Sequence, residues 1–229
     1  MRSRIRISRR WLSAYLVIVA VTTLGWFTVL SPQAVTLAQT AAPAAKKPAT
    51  LEAAEQAYND ASILTADLLW MKVEDYYHKG DFDKIIELCY HIVDLDPKFV
   101  EAYNTGAWLL WSKLTPEGDK AAVELYERGM KANPEDFENA FECGNFFYLI
   151  HKKDAKSAIP YLRHAVRVAE RYSQDDRKII ILRTLGHALR KDGQTEEALK
   201  VFRRVLEINP TDAIALKEVR RLEEGQSAP

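Results

Sequence analysis

The feature that most constrains this chain is the segment LRTLGHALRKDGQTEEALKVFRRVLEINP, residues 182–210. Its apolar residues return at intervals of three and four: Leu182, Leu185, Gly186 and Leu189, then Ala198, Phe202 and Val205. That spacing places one buried stripe on an α-helix. Lys191, Asp192 and Gly193 interrupt the series, because glycine accepts the left-handed backbone that closes a helix, and Thr195 is placed to cap the next one. Pro210 ends the second helix, since the residue before a proline avoids helical angles. The segment is therefore predicted to be a pair of short helices with one apolar side, too small to bury that side alone.

Leu-x-x-Leu-Gly-x-x-Leu, then Ala-x-x-x-Phe and a closing proline, resembles the tetratricopeptide repeat, with leucine in place of the usual leading tryptophan and of tyrosine. The resemblance implies an all-α superhelical solenoid of helix-turn-helix repeats, in which each unit buries its neighbour's face. Three further units support it. Residues 66–99 supply Leu69, Val73 and Tyr76, a turn at Gly80, then Ile85, Cys89 and Ile92 before Pro97. Residues 100–136 supply Tyr103, Ala107 and Leu110, then Ala122, Tyr126 and Gly129 before Pro134, with the inter-helix loop lengthened by KLTPEGDK. Residues 137–172 are the least regular, pairing Ala140, Cys143, Gly144 and Phe147 with Ala158, Leu162 and Ala165. Residues 179–212 complete four repeats, and 213–224 read as a polar-backed capping helix. Residues 51–65 form either a separate leading helix or one long helix with the start of the first repeat.

The N-terminus is a second informative region. Residues 1–10, MRSRIRISRR, hold five arginines and no acid, and residues 11–30, WLSAYLVIVAVTTLGWFTVL, carry no charge over twenty residues. A bilayer-spanning helix needs about 20 residues, while the core of a cleaved signal is roughly 7–15. Small residues around Ala38 leave both an uncleaved anchor and cleavage near Ala38 open. In either case the arginines stay in the cytoplasm and the repeats are exported, giving a bacterial inner-membrane protein with a periplasmic domain or a released periplasmic one. Residues 31–50, ending in QTAAPAAKKPAT, read as an Ala/Pro/Lys spacer.

Motifs for chemistry are absent from the sequence: no C-x-x-C-H, H-E-x-x-H, G-x-S-x-G or phosphate loop. Glu87 and His91 share a helix face but have no further ligand to join them, so the expectation is no enzyme, no metal and no cofactor. Cys89 and Cys143 fall two repeats apart, too far for the Cα separation of about 4.4–6.8 Å that a disulfide needs, and are expected to be free and buried.

What remains is a groove. The resemblance implies that the first helix of each repeat lines a concave surface, which selects Asp67, Trp70, Glu74 and Tyr77, then Glu101, Asn104, Trp108 and Trp111, from the first two repeats. From the last two it selects Glu138, Phe141, Asn145 and Tyr148, then Ile180, Arg183, His187 and Arg190. Aromatic residues dominate the first three sets and positive charge the last, and aromatics suit a docking surface because they bring large area at little entropy. Residues 51–150 hold 8 lysines and arginines against 20 acids, and residues 151–229 hold 17 against 12. The expected partner is another envelope or membrane protein with an acidic end for Arg183, His187 and Arg190. The expected role is a non-enzymatic interaction adaptor or assembly factor. A fixed accessory subunit of a membrane complex and a glycan-binding protein are the alternatives, and nucleic acid is excluded by the export signal and the modest basic excess.

Overall fold

The computed structural model describes residues 50–150, 153–172 and 174–226. The basic segment, the apolar run at 11–30 and nearly all of the spacer lie outside them; among the described residues no helix is long and apolar enough to cross a membrane. From Leu51 onward the chain forms a single unit of helices. Helix α1 spans Leu51–Lys79, α2 Phe82–Leu95, α3 Val100–Ser112 and α4 Pro116–Ala132. Helix α5 spans Glu138–Asn145 and passes without a break into a π-helical turn, Phe146–Ile150. Helices α6, Ala155–Tyr172, α7, Asp175–Lys191, α8, Thr195–Ile208, and α9, Ala213–Gln226, complete the array. Residues 51–65 and the first helix of the first repeat are thus one 29-residue helix.

Local chemistry sets the boundaries. Asp81 accepts a hydrogen bond from the Lys84 amide to start α2, and Thr115 accepts one from the Gly118 amide to start α4, where Pro116 occupies a position whose missing N–H costs nothing. The α1–α2 and α7–α8 turns are closed by Gly80 at φ +71 and Gly193 at φ +81, angles that a residue with a Cβ adopts at a cost. Thr195 does not cap α8: Gln194 holds the cap position without a side-chain bond, because the helix begins at Thr195 itself.

Each helix packs on the next, and α3 also packs on α5, so first helices line one side of the array and second helices the other. Two core clusters fill it. Ile85, Cys89, Ile92, Tyr103, Leu125 and Phe146 belong to one, and Leu162, Ile181, Leu189, Phe202 and Leu222 to the other. The third repeat joins them: Ala140 and Phe141 face the second cluster, Cys143 and Phe146 the first, and Phe147 touches both. Cys89 and Cys143 are free and fully buried, and burial pushes the Cys89 thiol up to about 12.

Candidate functional site

Helix α3 builds the centre of the groove. Its buried residues Ala102, Tyr103, Gly106, Ala107 and Leu110 turn toward α2 and α4, which by the 3.6-residue period leaves Asn104, Thr105, Trp108 and Trp111 on the remaining face. These four, with Tyr126 of α4, Glu142 of α5 and Ile150 of the π turn, line a cleft of about 270 Å³. Trp108 is 43% exposed. It also borders a second cleft of about 460 Å³, whose other walls are the α1–α2 turn at Gly80 to Asp83 and the end of α3 at Leu109, Ser112 and Lys113. Trp108 therefore stands between two concavities with its ring presented to solvent. Trp111 is more fixed, tilted against Phe146 at 6.1 Å between centroids.

The polar lining is arranged by α5. Asn139 donates from Nδ2 to Asn104 Oδ1 at 2.7 Å, which holds the Asn104 amide in place across the α3–α5 contact. Glu142 is half-buried, and no lysine, arginine or histidine nitrogen among the described residues lies within 4.0 Å of its carboxylate. Burial raises its pKa, offset in part by the Asn145 side chain and by Arg177. Glu138, one turn earlier, is also raised by burial but is ion-paired to Arg177. The cleft thus offers two indole faces, an oriented amide and a carboxylate without a basic partner at ion-pair distance among the described residues.

The other groove residues expected from sequence are placed differently. Trp70 is half-buried and tilted on Phe99 at 5.1 Å, filling the joint between the first two repeats. Tyr77 is exposed, edge-on to Phe82, and Glu74 is exposed 3.6 Å from His78. Phe141 and Asn145 are buried. Tyr148 is half-buried with the Lys191 ammonium 5.4 Å above its ring. The π turn explains the third repeat: it adds a residue per turn, so spacing counted on a regular α-helix no longer gives the exposed face. Ile150 lines the cleft from within this turn, and Glu142 lines it from the α-helical part before the turn.

At the fourth repeat the positive charge is already met. Arg183 lies 2.9 Å from Asp212, whose side chain is 4% exposed, and Arg190 lies 3.1 Å from Glu218, at 9%. Asp212 also accepts from the Ala215 amide, so one carboxylate both caps α9 and pairs with α7. His187 stacks edge-on against Phe202 at 5.1 Å, and burial lowers its pKa. The acidic counterpart expected of a partner is supplied by the chain's own capping helix.

No cluster of three or more metal-ligating side chains occurs among the described residues. Glu87 pairs with Lys84 at 2.6 Å and is 3.9 Å from His91, an ordinary solvated helix face.

Residues 147–211 match the family model of the tetratricopeptide repeat, a stretch that includes the whole segment 182–210. The described residues form a tetratricopeptide-like all-α solenoid, and several solved structures superimpose on it. A crystal structure of MamA protein superimposes with a TM-score of 0.52 at 18% identity, covering 71% of this chain and 82% of that one. The PilF protein of Pseudomonas aeruginosa superimposes with a TM-score of 0.51 at 17% identity, covering 73% and 70%. A second MamA structure gives 0.50 at 19%, covering 67% and 84%. None of the curated proteins matches the sequence.

Proposed function

We propose that this protein is a non-enzymatic interaction adaptor or assembly factor of the cell envelope, which grips a segment of a partner protein in the cleft between α3 and α5. The observation that carries the reading is Trp108: a large aromatic ring, 43% exposed, set between two concavities on a face where neighbouring side chains are packed or paired. An exposed indole at the centre of a concave surface is the kind of residue that dominates binding energy, because it buries a large area without ordering a long flexible chain. The role at the envelope rests on the sequence alone: five arginines followed by twenty uncharged residues are the pattern that supports export of the solenoid, by an anchor or a cleaved signal.

Co-purification from membranes tests the reading. The wild-type chain is expected to retain a partner protein that Trp108→Ala loses by about tenfold or more, the size expected of a central aromatic, with unchanged helix content. Equal recovery by the two proteins moves the partner site off this face.

A further inference from the structure

Helix α1 carries two apolar stripes. Ala66, Leu69, Val73 and Tyr76 pack into the core beside α2. The second stripe, Ala54, Ala57, Ala61, Leu64, Leu68 and Met71, recurs at alternating intervals of three and four, the a and d positions of a heptad. It lies away from the first stripe and is open: Leu64 is 56% exposed, Leu68 and Met71 49% each, Ala57 and Ala61 are exposed, and Ala54 is half-buried. By contrast, α9 at the other end of the solenoid puts Ala215 and Leu222 into the core and covers its last face.

The order of side-chain sizes along this stripe selects an occupant. The first three residues are alanines and the last three are large. A parallel pair of such helices sets alanine on alanine at one end and bulk on bulk at the other, which no single helix separation satisfies. An antiparallel pair with its two-fold axis midway between Ala61 and Leu64 sets Ala54 opposite Met71, Ala57 opposite Leu68 and Ala61 opposite Leu64. Every layer then joins one small and one large side chain, so one separation fits the whole contact and the two copies use the same patch, as a closed dimer requires. We infer that the outer face of α1 is a self-association surface, on which a second copy of this chain packs its own α1 antiparallel.

The flanking charges set the strength. On the flanks Tyr58 falls nearest Thr65 of the second copy, whereas Asp60 falls nearest Asp67 and opposes the pair. Repulsion between exposed charges is screened beyond about 8 Å in physiological salt, so association increases with ionic strength. The stripe from Ala54 to Met71 spans 18 residues, about 26 Å from end to end at the helical rise, short for a coiled coil, so the dimer is concentration-dependent.

Cross-linking of the full-length chain in detergent tests this directly. The protein has two cysteines, both fully buried, so Ala54→Cys and Met71→Cys each add an accessible thiol. A mixture of the two variants treated with a short bismaleimide is expected to give a covalent dimer joined between positions 54 and 71, about tenfold more than either variant alone, where the like thiols are about 26 Å apart. Strong cross-linking by Ala54→Cys alone indicates parallel pairing and overturns the proposal, as does a mixture that stays monomeric. Leu68→Glu provides a second readout: its helix content is expected to match wild type while its mass in sedimentation stays monomeric at concentrations where wild type approaches twice that. Dimerisation of Leu68→Glu at wild-type strength also overturns it.

Discussion

The middle of the groove and its C-terminal end look alike in sequence and differ in the folded chain. Both place polar and aromatic side chains on the first helix of a repeat. In the middle, Trp108 projects between two clefts and Glu142 has no basic partner within ion-pair distance among the described residues. At the end, Arg183 and Arg190 are held by Asp212 and Glu218, and His187 lies on Phe202. The difference comes from α9. This helix packs on α8, and with the residue that caps it brings two carboxylates, Asp212 and Glu218, to the charge on α7. Charge counted along a chain is therefore not the charge presented to a partner. The centre of the groove presents indole rings and the Glu142 carboxylate, and its C-terminal end presents paired charge.

Equal truncations at the two places are expected to separate sharply. Phe202→Ala removes a fully buried ring packed against Gly186 and is expected to cost about 3–5 kcal/mol in urea or thermal unfolding. Trp108→Ala, on an exposed ring, is expected to cost about 1 kcal/mol or less while losing partner capture. Similar costs for the two would mean that Trp108 is a packing residue and would erase the contrast.

Glu218→Ala leaves the half-buried Arg190 guanidinium without its carboxylate and is expected to cost about 1–3 kcal/mol. It also frees positive charge at the end of the groove, so binding of an acidic test peptide is expected to appear in the variant and not in wild type, measured by fluorescence anisotropy. Acidic-peptide binding by wild type at equal strength would show that the cap does not close this end.

The smallest effect is one of pH. Burial raises the Glu142 pKa above its ordinary 4.5, so the folded state holds this proton more tightly than the unfolded one. Its contribution to stability is therefore fully present below pH 4.5 and lost as pH rises through the folded value. Glu142→Gln removes that loss and is expected to match or slightly exceed wild-type stability near neutral pH, with the gap closing once the acid is protonated in both states. A destabilised Glu142→Gln would mean that the carboxylate's interaction with the Asn145 side chain outweighs the cost of its burial.

Much of the fold was legible because it rests on periodicity. Leu182, Leu185, Leu189, Ala198, Phe202 and Val205 repeat at helical spacing and are all buried, and Gly80 and Gly193 mark turns at the angles that only glycine adopts without strain. The candidate cleft was legible in part. Asn104, Trp108 and Trp111 sit on a regular helix, so counting along α3 brings them to one cleft. Counting fails in the third repeat, where FFYLI forms a π turn and swings Ile150 to the cleft; a run of five apolar residues looks the same in either helix type. The pairing of Arg183 and Arg190 was hidden for another reason. It depends on how α9 packs on α7, a contact between residues 28 or 29 positions apart that no local pattern encodes.

Photo-cross-linking in membranes from two positions on first helices separates an open groove centre from a closed end, with a photoreactive phenylalanine analogue replacing Trp108 in one protein and His187 in the other. A partner adduct is expected from position 108 and none from position 187, where α9 closes the surface. An adduct from position 187 at equal or greater yield, with none from 108, would contradict a partner site centred on Trp108.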